Sequence, residues 1–278
     1  LMLAEKHNDC AFHIFTNGTL IDEELCKEVQ RLGNLSFALS VEGYAETNDD
    51  RRGQGVFEKV MHAMDLMKEH GLLFGTSICY TSKNYKVVTS DEFLQMLVDK
   101  GAILSWFFHY MPVGNDAAPE LMPNPEQRKA VYERIRAFRS SKPIFSLDFQ
   151  NDAEYIGGCI AGGRYYLHIN AAGDVDPCVF IHYSNANIHE VSLLDALKSP
   201  IFQAYRKGQP FNDNMLRPCP MLENPECLPK MVKETGAHST DPQSPEDVQH
   251  LCDKCKPYAE AWTKMADKLW VERQTAKK

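Results

Sequence analysis

The chain has 278 residues, 44% of them hydrophobic and 24% charged, with a formal net charge of −8 at pH 7. This acidic balance, without any run of Lys or Arg, argues against a nucleic-acid partner and against binding to an anionic membrane surface. No apolar stretch reaches the roughly 18 residues that a membrane-spanning helix needs, so we expect no membrane span. The length suffices for one large domain or for two moderate ones.

Strands and helices alternate along the first half of the chain. In the segment 21–32, Ile21, Leu25 and Val29 recur at helical spacing, and Gly33 follows as a stop. The predicted strands are 11–15, 35–41, 72–80 and 103–110, and the predicted helices are 21–32, 56–70, 91–100 and 124 to about 138. Repeated strand–helix units indicate a parallel sheet with right-handed crossovers.

The strand 35–41 favours a barrel over an open sheet. Its large side chains alternate with Ser36, Ala38 and Ser40, and Glu42 follows on the same side. A strand face that is small and polar is typical of the lining of a ligand-holding barrel, whereas a parallel sheet covered by helices is apolar on both faces. We therefore predict an α/β fold with a partial barrel.

The second half has a different composition. From residue 142 onward Gly, Pro and Cys become frequent, and no long helix is predicted before 257–274, so the predicted boundary lies at about residue 142. Six of the nine cysteines follow residue 158, namely Cys159, Cys178, Cys219, Cys227, Cys252 and Cys255. An odd cysteine count without a visible secretion signal indicates a reducing compartment. We expect a cytoplasmic protein whose late cysteines bind metal.

The sharpest motif is CIAGGRYYLHINAAGDVDPC. Thirteen residues separate Cys159 from Gly173, and four separate Gly173 from Cys178. The stretch 165–169 is strand-like, and Gly173 lies in a turn sequence. A hairpin is therefore expected to bring the two thiols toward one point.

Four further cysteines follow this motif. Cys252 and Cys255 form a Cys-x-x-Cys pair, which can chelate one metal ion or hold two corners of a cluster. Cys219 and Cys227 lie in the stretch CPMLENPEC. The simpler alternative for either of these two is a buried structural thiol, which is a common state of cysteine. Thiolates suit zinc and iron–sulfur clusters equally, so the spacing leaves the metal open.

This cysteine pattern resembles the auxiliary-cluster domain, SPASM or its shorter twitch form, at the C-terminus of radical S-adenosylmethionine (radical SAM) enzymes. Stretches of the first half resemble that family's barrel in the same order. FTNGTLID is similar to the third strand-to-helix junction, ALSVEG to the fourth strand and RRGQGVFEKVMHAMDLMKEHG to the helix after it. FHYMPVGN is similar to the sixth strand and its exit, and MPNPEQ to the start of the helix that leads to the cluster domain.

The resemblance covers almost the whole chain and implies both its fold and its domains. Residues 1–142 would form a partial (β/α)6 radical SAM barrel, from the third to the sixth strand–helix unit. Residues 143–278 would form a small cysteine-rich α+β domain with a C-terminal helix, which binds one auxiliary [4Fe-4S] cluster. The implied cluster ligands are Cys159, Cys178, Cys252 and Cys255, with Cys219 as a substitute.

The resemblance also implies contacts with S-adenosylmethionine (SAM). Ser40 and Glu42 would face the ribose or the amino-acid part of SAM, because a hydroxyl and a carboxylate can bind its donors. Arg52 would pair with the SAM carboxylate, for which a bidentate guanidinium is suited, and Arg51 is the neighbouring candidate. The simpler alternative for Arg52 is a solvated surface charge.

Three further residues are implied cofactor contacts. Asn17 ends a strand at the barrel mouth, although Asn-Gly is also a favoured turn pair anywhere in a protein. Met111 and Val113 would pack near the adenine of SAM. His109, beside several aromatic residues, is more typical of a packed core residue than of a substrate contact. No catalytic residue is assigned from the sequence.

One element of the family does not occur in these 278 residues. In radical SAM enzymes a Cys-x3-Cys-x2-Cys loop after the first strand holds a [4Fe-4S] cluster with an open iron site for SAM, and no such spacing is found here. We expect that two strands and this loop are missing from the N-terminus, and that this chain alone is inactive in SAM cleavage.

The full-length protein is expected to be a radical SAM oxidoreductase or maturase that abstracts hydrogen from an unknown substrate, either a peptide or a small molecule. Its electrons would come from a reducing partner such as flavodoxin or ferredoxin. Two alternatives remain open. The cysteine spacing permits a zinc-stabilised, non-catalytic binding module on a degenerate barrel. The chain could also be a subunit whose missing strands come from another chain, since an unpaired strand edge invites pairing.

Overall fold

The computed structural model describes residues 1–276. They form two compact units, one of residues 1–110 with 127–149 and the other of residues 111–126 with 150 onward. The predicted domain boundary near residue 142 stays a prediction. Within the described part of the chain, no helix combines the length and the apolar character that crossing a membrane requires.

The first unit is built on one five-stranded sheet, in which the strands lie in chain order. Each neighbouring pair is parallel, as repeated strand–helix units predict. The strands are β1 (Phe12–Thr16), β2 (Leu35–Ser40), β3 (Phe74–Tyr80), β4 (Leu104–His109) and β5 (Phe145–Asp148). The four predicted strands are confirmed to within two residues at each end, and β5 was not predicted.

The helices α1 to α7 accompany this sheet. Their bounds are α1 (Met2–Lys6), α2 (Glu23–Leu32), α3 (Ala45–Arg52), α4 (Val56–Glu69), α5 (Tyr85–Val88), α6 (Asp91–Asp99) and α7 (Pro125–Ser141). The predicted helices correspond to α2, α4, α6 and α7. Ser90 caps α6, because its hydroxyl accepts a bond from the Phe93 amide at 3.2 Å. Gly33 ends α2 in the left-handed conformation.

The two faces of the sheet differ as predicted from β2. Leu39 and Phe107 point toward the helices and are fully buried in one apolar core. On the opposite face, the ring of Phe15 in β1 lies 5.6 Å from the ring of Trp106 in β4. Three strand spacings of about 4.8 Å separate these strands in a flat sheet. This short approach therefore shows that the second face is concave, as in a partial barrel.

Among the described residues, the second unit contains short strands, four α-helices and two short 3-10 helices, Pro119–Leu121 and Ala153–Tyr155. Two antiparallel pairs join β6 (His168–Ile169) to β7 (Val175–Asp176) and β8 (Tyr183–Ser184) to β9 (His238–Ser239). The helices are α8 (Leu193–Ala196), α9 (Pro200–Gly208), α10 (Cys227–Thr235) and α11 (Val248–Ala276). The predicted hairpin between Cys159 and Cys178 is confirmed by β6 and β7, with Gly173 at φ 90° in its turn.

The last helix corrects a prediction. The sequence places its start at Pro257, because proline lacks an N–H and is favoured in the first turn of a helix. In the structure α11 begins at Val248 and continues through Pro257. The Cys-x-x-Cys pair, Cys252 and Cys255, consequently lies on a helix and not in a loop.

Candidate functional site

The loop after Cys159 is tied to the residue before Cys178. Gly162 lies at φ +68°, and its amide donates to the Pro177 carbonyl at 3.0 Å. A side chain at Gly162 would place a Cβ 2.5 Å from the Cβ of Tyr205 on α9, so glycine is needed on two grounds. The bond from Gly162 and the packing of the loop against α9 therefore keep Cys159 and Cys178 close to each other.

Three thiols share one hydrogen-bond pattern. The Ala161 amide points to the Cys159 sulfur at 3.5 Å, and the Met221 amide points to the Cys219 sulfur at 3.4 Å. The Phe180 amide donates to Cys178 in the same way. In each case the donor is the residue two positions after the cysteine. Backbone N–H groups aimed at sulfur favour the thiolate form, which is the form that binds metal.

Burial opposes the same thiolates when no metal is bound. Removal from water raises the pKa of Cys159 to about 11 and that of Cys178 to about 12, and it also raises the pKa of Cys219 well above its ordinary value. A positively charged metal or cluster lowers thiol pKa values, so its binding makes these buried thiolates favourable. The donor set fits an iron–sulfur cluster on its chemistry, because amide donors and burial surround sulfur atoms.

A hydroxyl supports one of these thiols. Tyr166 donates to the Cys178 sulfur, while the Val179 amide donates to the Tyr166 hydroxyl at 2.6 Å. This chain of bonds orients the thiol, in the way that outer partners commonly orient metal ligands. The nearby Cys159 and Cys178 thiols also interact electrostatically, as do those of Cys159 and Cys219.

Cys252 and Cys255 are fully buried on α11. The Cys255 thiol donates to the Leu251 carbonyl one turn earlier at 3.6 Å. Cys252, by contrast, acts electrostatically on the phenol of Tyr205, together with the three thiols Cys159, Cys178 and Cys219. Burial raises the pKa of both Cys252 and Cys255, the latter to about 12.

The sixth late cysteine lies elsewhere in the unit. Cys227 is the first residue of α10, and its thiol is 3.8 Å from a carboxylate oxygen of Glu226. Burial raises its pKa to about 11, with a further contribution from Glu226. Within residues 1–276, no three His, Cys, Asp or Glu side chains stand close enough to hold one single metal ion.

At the end of β2 the structure joins two predicted SAM contacts to each other. The Glu42 side chain is buried, and Arg52 donates to it at 2.5 Å from the last turn of α3. Arg51 forms a second ion pair with Glu42 at 3.0 Å. The Glu42 backbone is fixed in turn, because its amide donates to Asn48 and its carbonyl accepts from Asn84. Arg52 is three-quarters buried and is therefore more than a solvated surface charge.

The other predicted contacts of the first unit lie at strand ends. Ser40 is the last residue of β2, half-buried on the concave side. Asn17 follows β1 and is exposed, and its side-chain oxygen accepts bonds from the Thr19 amide and hydroxyl. Gly18 after it has φ +72°. These contacts are those of a local turn, and the cofactor role of Asn17 stays a prediction.

Met111 and Val113 belong to the second unit. Met111 is buried, and its sulfur accepts from the Gln150 amide at 3.8 Å. The Val113 amide donates to the Met111 carbonyl at 2.9 Å, which closes a tight turn. Their predicted packing against adenine stays a prediction.

His109 is a core residue. Its ring is 1% exposed, and Nδ1 donates to the Tyr110 carbonyl at 2.6 Å. Burial, with the charge of Arg128, lowers its pKa to about 3, so the ring is neutral. The burial agrees with the expectation from its aromatic sequence neighbours.

An aromatic cluster on the concave face was not predicted from the sequence. Phe15, Trp106, Phe108 and Phe149 contact one another with ring centroids 5.1–6.2 Å apart. Trp106 and Phe108 alternate with buried Phe107 along β4, which indicates that they share the other face. Phe15 joins them only because the sheet is curved. The pattern of β2 predicts a barrel, but not which aromatic side chains its curvature brings together.

Each half of the chain contains a segment that matches a known protein family. Residues 1–97 match the family model of the radical SAM superfamily, and residues 159–224 match that of the SPASM iron–sulfur cluster-binding domain. Residues 1–97 belong to the radical SAM superfamily, and residues 159–224 belong to the SPASM family. This confirms the predicted family, and domains of these two kinds bind SAM and [4Fe-4S] clusters.

Curated relatives of this radical SAM chain include two proteins of Methanosarcina barkeri. The AdoMet-dependent heme synthase is 24% identical over 200 residues, which is 63% of this chain and 56% of the relative. The Fe-coproporphyrin III synthase is 27% identical over 152 residues, covering 51% and 38%. The mycofactocin maturase of Mycolicibacterium smegmatis is 27% identical over 175 residues, covering 59% and 44%. The radical SAM chain thus spans about half the length of the relatives it matches.

Solved structures support the radical SAM fold. The protein anSMEcpe with bound AdoMet and a peptide has a TM-score of 0.54 at 17% identity, covering 94% of this chain and 76% of that one. SuiB of Streptococcus suis has a TM-score of 0.63 at 15% identity, covering 78% of this chain and 57% of that one. At such identities the likeness concerns the fold alone, and it confirms the predicted α/β barrel architecture.

Proposed function

We propose that this chain supplies barrel strands and the auxiliary-cluster domain of a radical SAM enzyme that abstracts a hydrogen atom from its substrate. The observation that carries the proposal is the shared pattern at Cys159, Cys178 and Cys219, where the amide two residues later points to each sulfur. Such donors serve thiolates that ligate metal, whereas a merely structural thiol has no need of them.

We propose Cys252 as the fourth ligand, beside Cys159, Cys178 and Cys219. Cys252 acts on the same buried phenol as the other three thiols. The Cys255 thiol is engaged by the Leu251 carbonyl. The predicted set contained both cysteines of α11 and kept Cys219 as a substitute. The amide donors at Cys219 favour its inclusion instead of Cys255.

The protein residues then have definite tasks. A [4Fe-4S] cluster with all four irons held by these cysteines would supply one-electron chemistry, and the surrounding residues would tune its potential. The amides after Cys159, Cys178 and Cys219 offset thiolate charge, and the hydroxyl of Tyr166 orients Cys178. The burial of Cys178 and Cys252 excludes water from this site.

On the barrel side, we propose that Arg52 binds the carboxylate of SAM. One guanidinium nitrogen holds Glu42, yet the buried Nε of Arg52 has no hydrogen-bond partner among the described residues. An arginine carries five N–H donors in a planar fork, so Glu42 can orient the group while other donors meet a ligand. Ser40 on the concave side would contact the same cofactor. Glu42 would then act through Arg52 and not directly on SAM.

We propose a peptide or small-molecule substrate that places an apolar or aromatic group against the concave aromatic cluster. The half-buried rings of Trp106, Phe108 and Phe149 offer stacking faces for such a group. The names of the relatives cover both substrate classes, since they include a heme synthase and a maturase, and SuiB was solved with its precursor peptide SuiA. A flavodoxin or ferredoxin as electron donor, and a cytoplasmic location, stay predictions.

Metal analysis of the chain tests the proposal. After anaerobic reconstitution with iron and sulfide, we expect about four iron and about four acid-labile sulfide per chain. The Cys219→Ser variant is expected to lose most of this iron, whereas Cys227→Ser, at the start of α10, is the matched control and keeps it. A colourless protein with one zinc per chain and no iron would overturn the proposal in favour of a zinc-stabilised module.

Cofactor cleavage provides a second measurement. Since no Cys-x3-Cys-x2-Cys spacing occurs in the 278 residues, we expect no 5′-deoxyadenosine from SAM with this chain alone under reducing conditions. Formation of 5′-deoxyadenosine by the pure chain would contradict this expectation and would require a different site of SAM activation.

A further inference from the structure

A single tyrosine on α9 lies against the cysteine loop. The Cβ of Tyr205 approaches Gly162 so closely that any side chain there would come within 2.5 Å of it. The Gly162 amide is bonded to the residue before Cys178, and Cys159 lies three residues earlier. On its other side the Tyr205 ring meets Phe211 edge to face, with centroids 5.4 Å apart. The ring is therefore held between the loop and Phe211.

The hydroxyl of this tyrosine is buried without a partner. Tyr205 is 0% exposed, and its oxygen has no hydrogen-bond partner among the described residues. Buried hydroxyls are normally satisfied, so such a group indicates a missing acceptor or donor. The groups that act electrostatically on the phenol are the thiols of Cys159, Cys178, Cys219 and Cys252. The unsatisfied hydroxyl thus lies within the neighbourhood of the four proposed ligands.

The chemistry of these neighbours decides which role the hydroxyl takes. Thiolates that ligate iron, and the sulfides of a cluster, accept hydrogen bonds and carry no proton to donate. The Tyr205 hydroxyl can therefore form a hydrogen bond with these sulfurs only as the donor. Tyr166, another tyrosine beside a thiol, differs because its hydroxyl already accepts from the Val179 amide and donates to Cys178.

We propose that Tyr205 is a positioning residue that donates a hydrogen bond from its hydroxyl to a sulfur of the bound auxiliary cluster and thereby raises the cluster's reduction potential. The inference rests on the proposed function, because it needs a cluster at these thiols. Hydrogen bonds to cluster sulfurs are among the features that set the potential. A donor stabilises the reduced cluster more than the oxidised one, since reduction adds negative charge to the sulfurs.

Redox titration of the reconstituted chain, monitored by electron paramagnetic resonance, tests this role. The Tyr205→Phe variant removes only the hydroxyl, and we expect an unchanged iron content with a midpoint potential shifted to lower values. Tyr183→Phe is the matched control, since the Tyr183 hydroxyl donates to the Glu246 carbonyl at 2.8 Å and is not free for the cluster. Its potential is expected to equal that of the wild type.

The outcomes separate this inference from the proposed function. Absence of a cluster in the wild type overturns the proposed function itself. A full cluster with the same potential in Tyr205→Phe overturns the role of Tyr205 and leaves the proposed function in place. If Tyr205→Phe does not retain iron, 3-fluorotyrosine at position 205 decides, because it keeps the ring and the hydroxyl. Its more acidic hydroxyl donates more strongly, so the potential should rise, and an unchanged value overturns the role.

Discussion

The guanidinium of Arg52 lies 2.5 Å from the buried carboxylate of Glu42. The family resemblance implies a contact with SAM for each of these residues, and in the structure they form an ion pair with each other. Arg51 reaches the same carboxylate, so one buried negative charge balances two arginines. This arrangement fixes the end of α3 against the strand end at β2.

Replacement of Glu42 by Gln tests this balance. The change leaves Arg51 and Arg52 without a counter-ion, and loss of one member of a buried pair costs several kcal/mol. Because both arginines keep some contact with solvent, we expect a smaller loss, about 2–3 kcal/mol in the free energy of unfolding, measured by urea denaturation. Glu46→Gln, on the exposed side of α3, should change stability by less than about 0.5 kcal/mol. Equal losses in the two variants would contradict the role of Glu42.

The contact between Gly162 and Tyr205 predicts a large effect of one methyl group. Gly162→Ala would force a left-handed backbone onto alanine and push its Cβ into α9. We expect a loss of about 2–4 kcal/mol in the free energy of unfolding of the metal-free chain, from overpacking and backbone strain together. Gly236→Ala is the matched control, since Gly236 has φ +64° with nothing within 4 Å, and should cost only about 1 kcal/mol. Similar losses at both positions would show that backbone strain alone matters.

His109 predicts a dependence of stability on pH. Its pKa is about 3 in the folded state, below the ordinary 6.5, so the unfolded chain takes up the proton first. Its contribution to stability is complete above pH 6.5 and falls as the pH drops from 6.5 toward 3, by up to about 1.4 kcal/mol per pH unit. The His109→Asn variant should lose this part of the slope in denaturation curves recorded between pH 7 and about 4. His62→Asn, at an exposed position, should keep the wild-type slope, and a wild-type slope in both variants would refute the prediction.

The helix α11 offers a choice between two candidate ligands. Cys252→Ser is expected to lose most of the iron that the reconstituted chain binds, because Cys252 shares its neighbourhood with the other three thiols. Cys255→Ser should retain the iron, since its thiol bonds the Leu251 carbonyl. Iron and sulfide analysis with visible absorption measures both variants. The reverse result would return Cys255 to the ligand set.

Much of the fold could be predicted because its elements carry local periodicity. β2 alternates large and small residues, and α2 carries an apolar stripe and is followed by Gly33. Each of these patterns lies within about ten residues, so each element can be predicted from its own segment. The strand β5 was not predicted, because Phe145–Asp148 has only four residues, too few to show an alternation, and lies close after Pro143. The start of α11 was misplaced because Pro257 is typical of a first turn, while packing of the helix overrides that preference.

The candidate site was less visible for a physical reason. The cysteine spacing points to most of the proposed ligand residues, since a hairpin and a Cys-x-x-Cys pair are local features. The relation of Tyr205 to Gly162 joins residues 43 positions apart and depends on how α9 packs. The cluster of Phe15 with Trp106 likewise depends on the curvature of the sheet. Contacts of this kind arise from tertiary packing, which no single segment encodes.

The contact of Phe15 with Trp106 links the aromatic cluster of the concave face to a strand that can fray. Within the described residues, β1 pairs with β2 as its one neighbouring strand and forms the margin of the sheet. Segments at such margins open at lower free energy than central strands do. When β1 detaches, the ring of Phe15 leaves the aromatic cluster. A ligand bound against those rings would therefore oppose this opening. It would slow amide hydrogen exchange in β1 although it contacts this strand through the phenyl group of Phe15 alone.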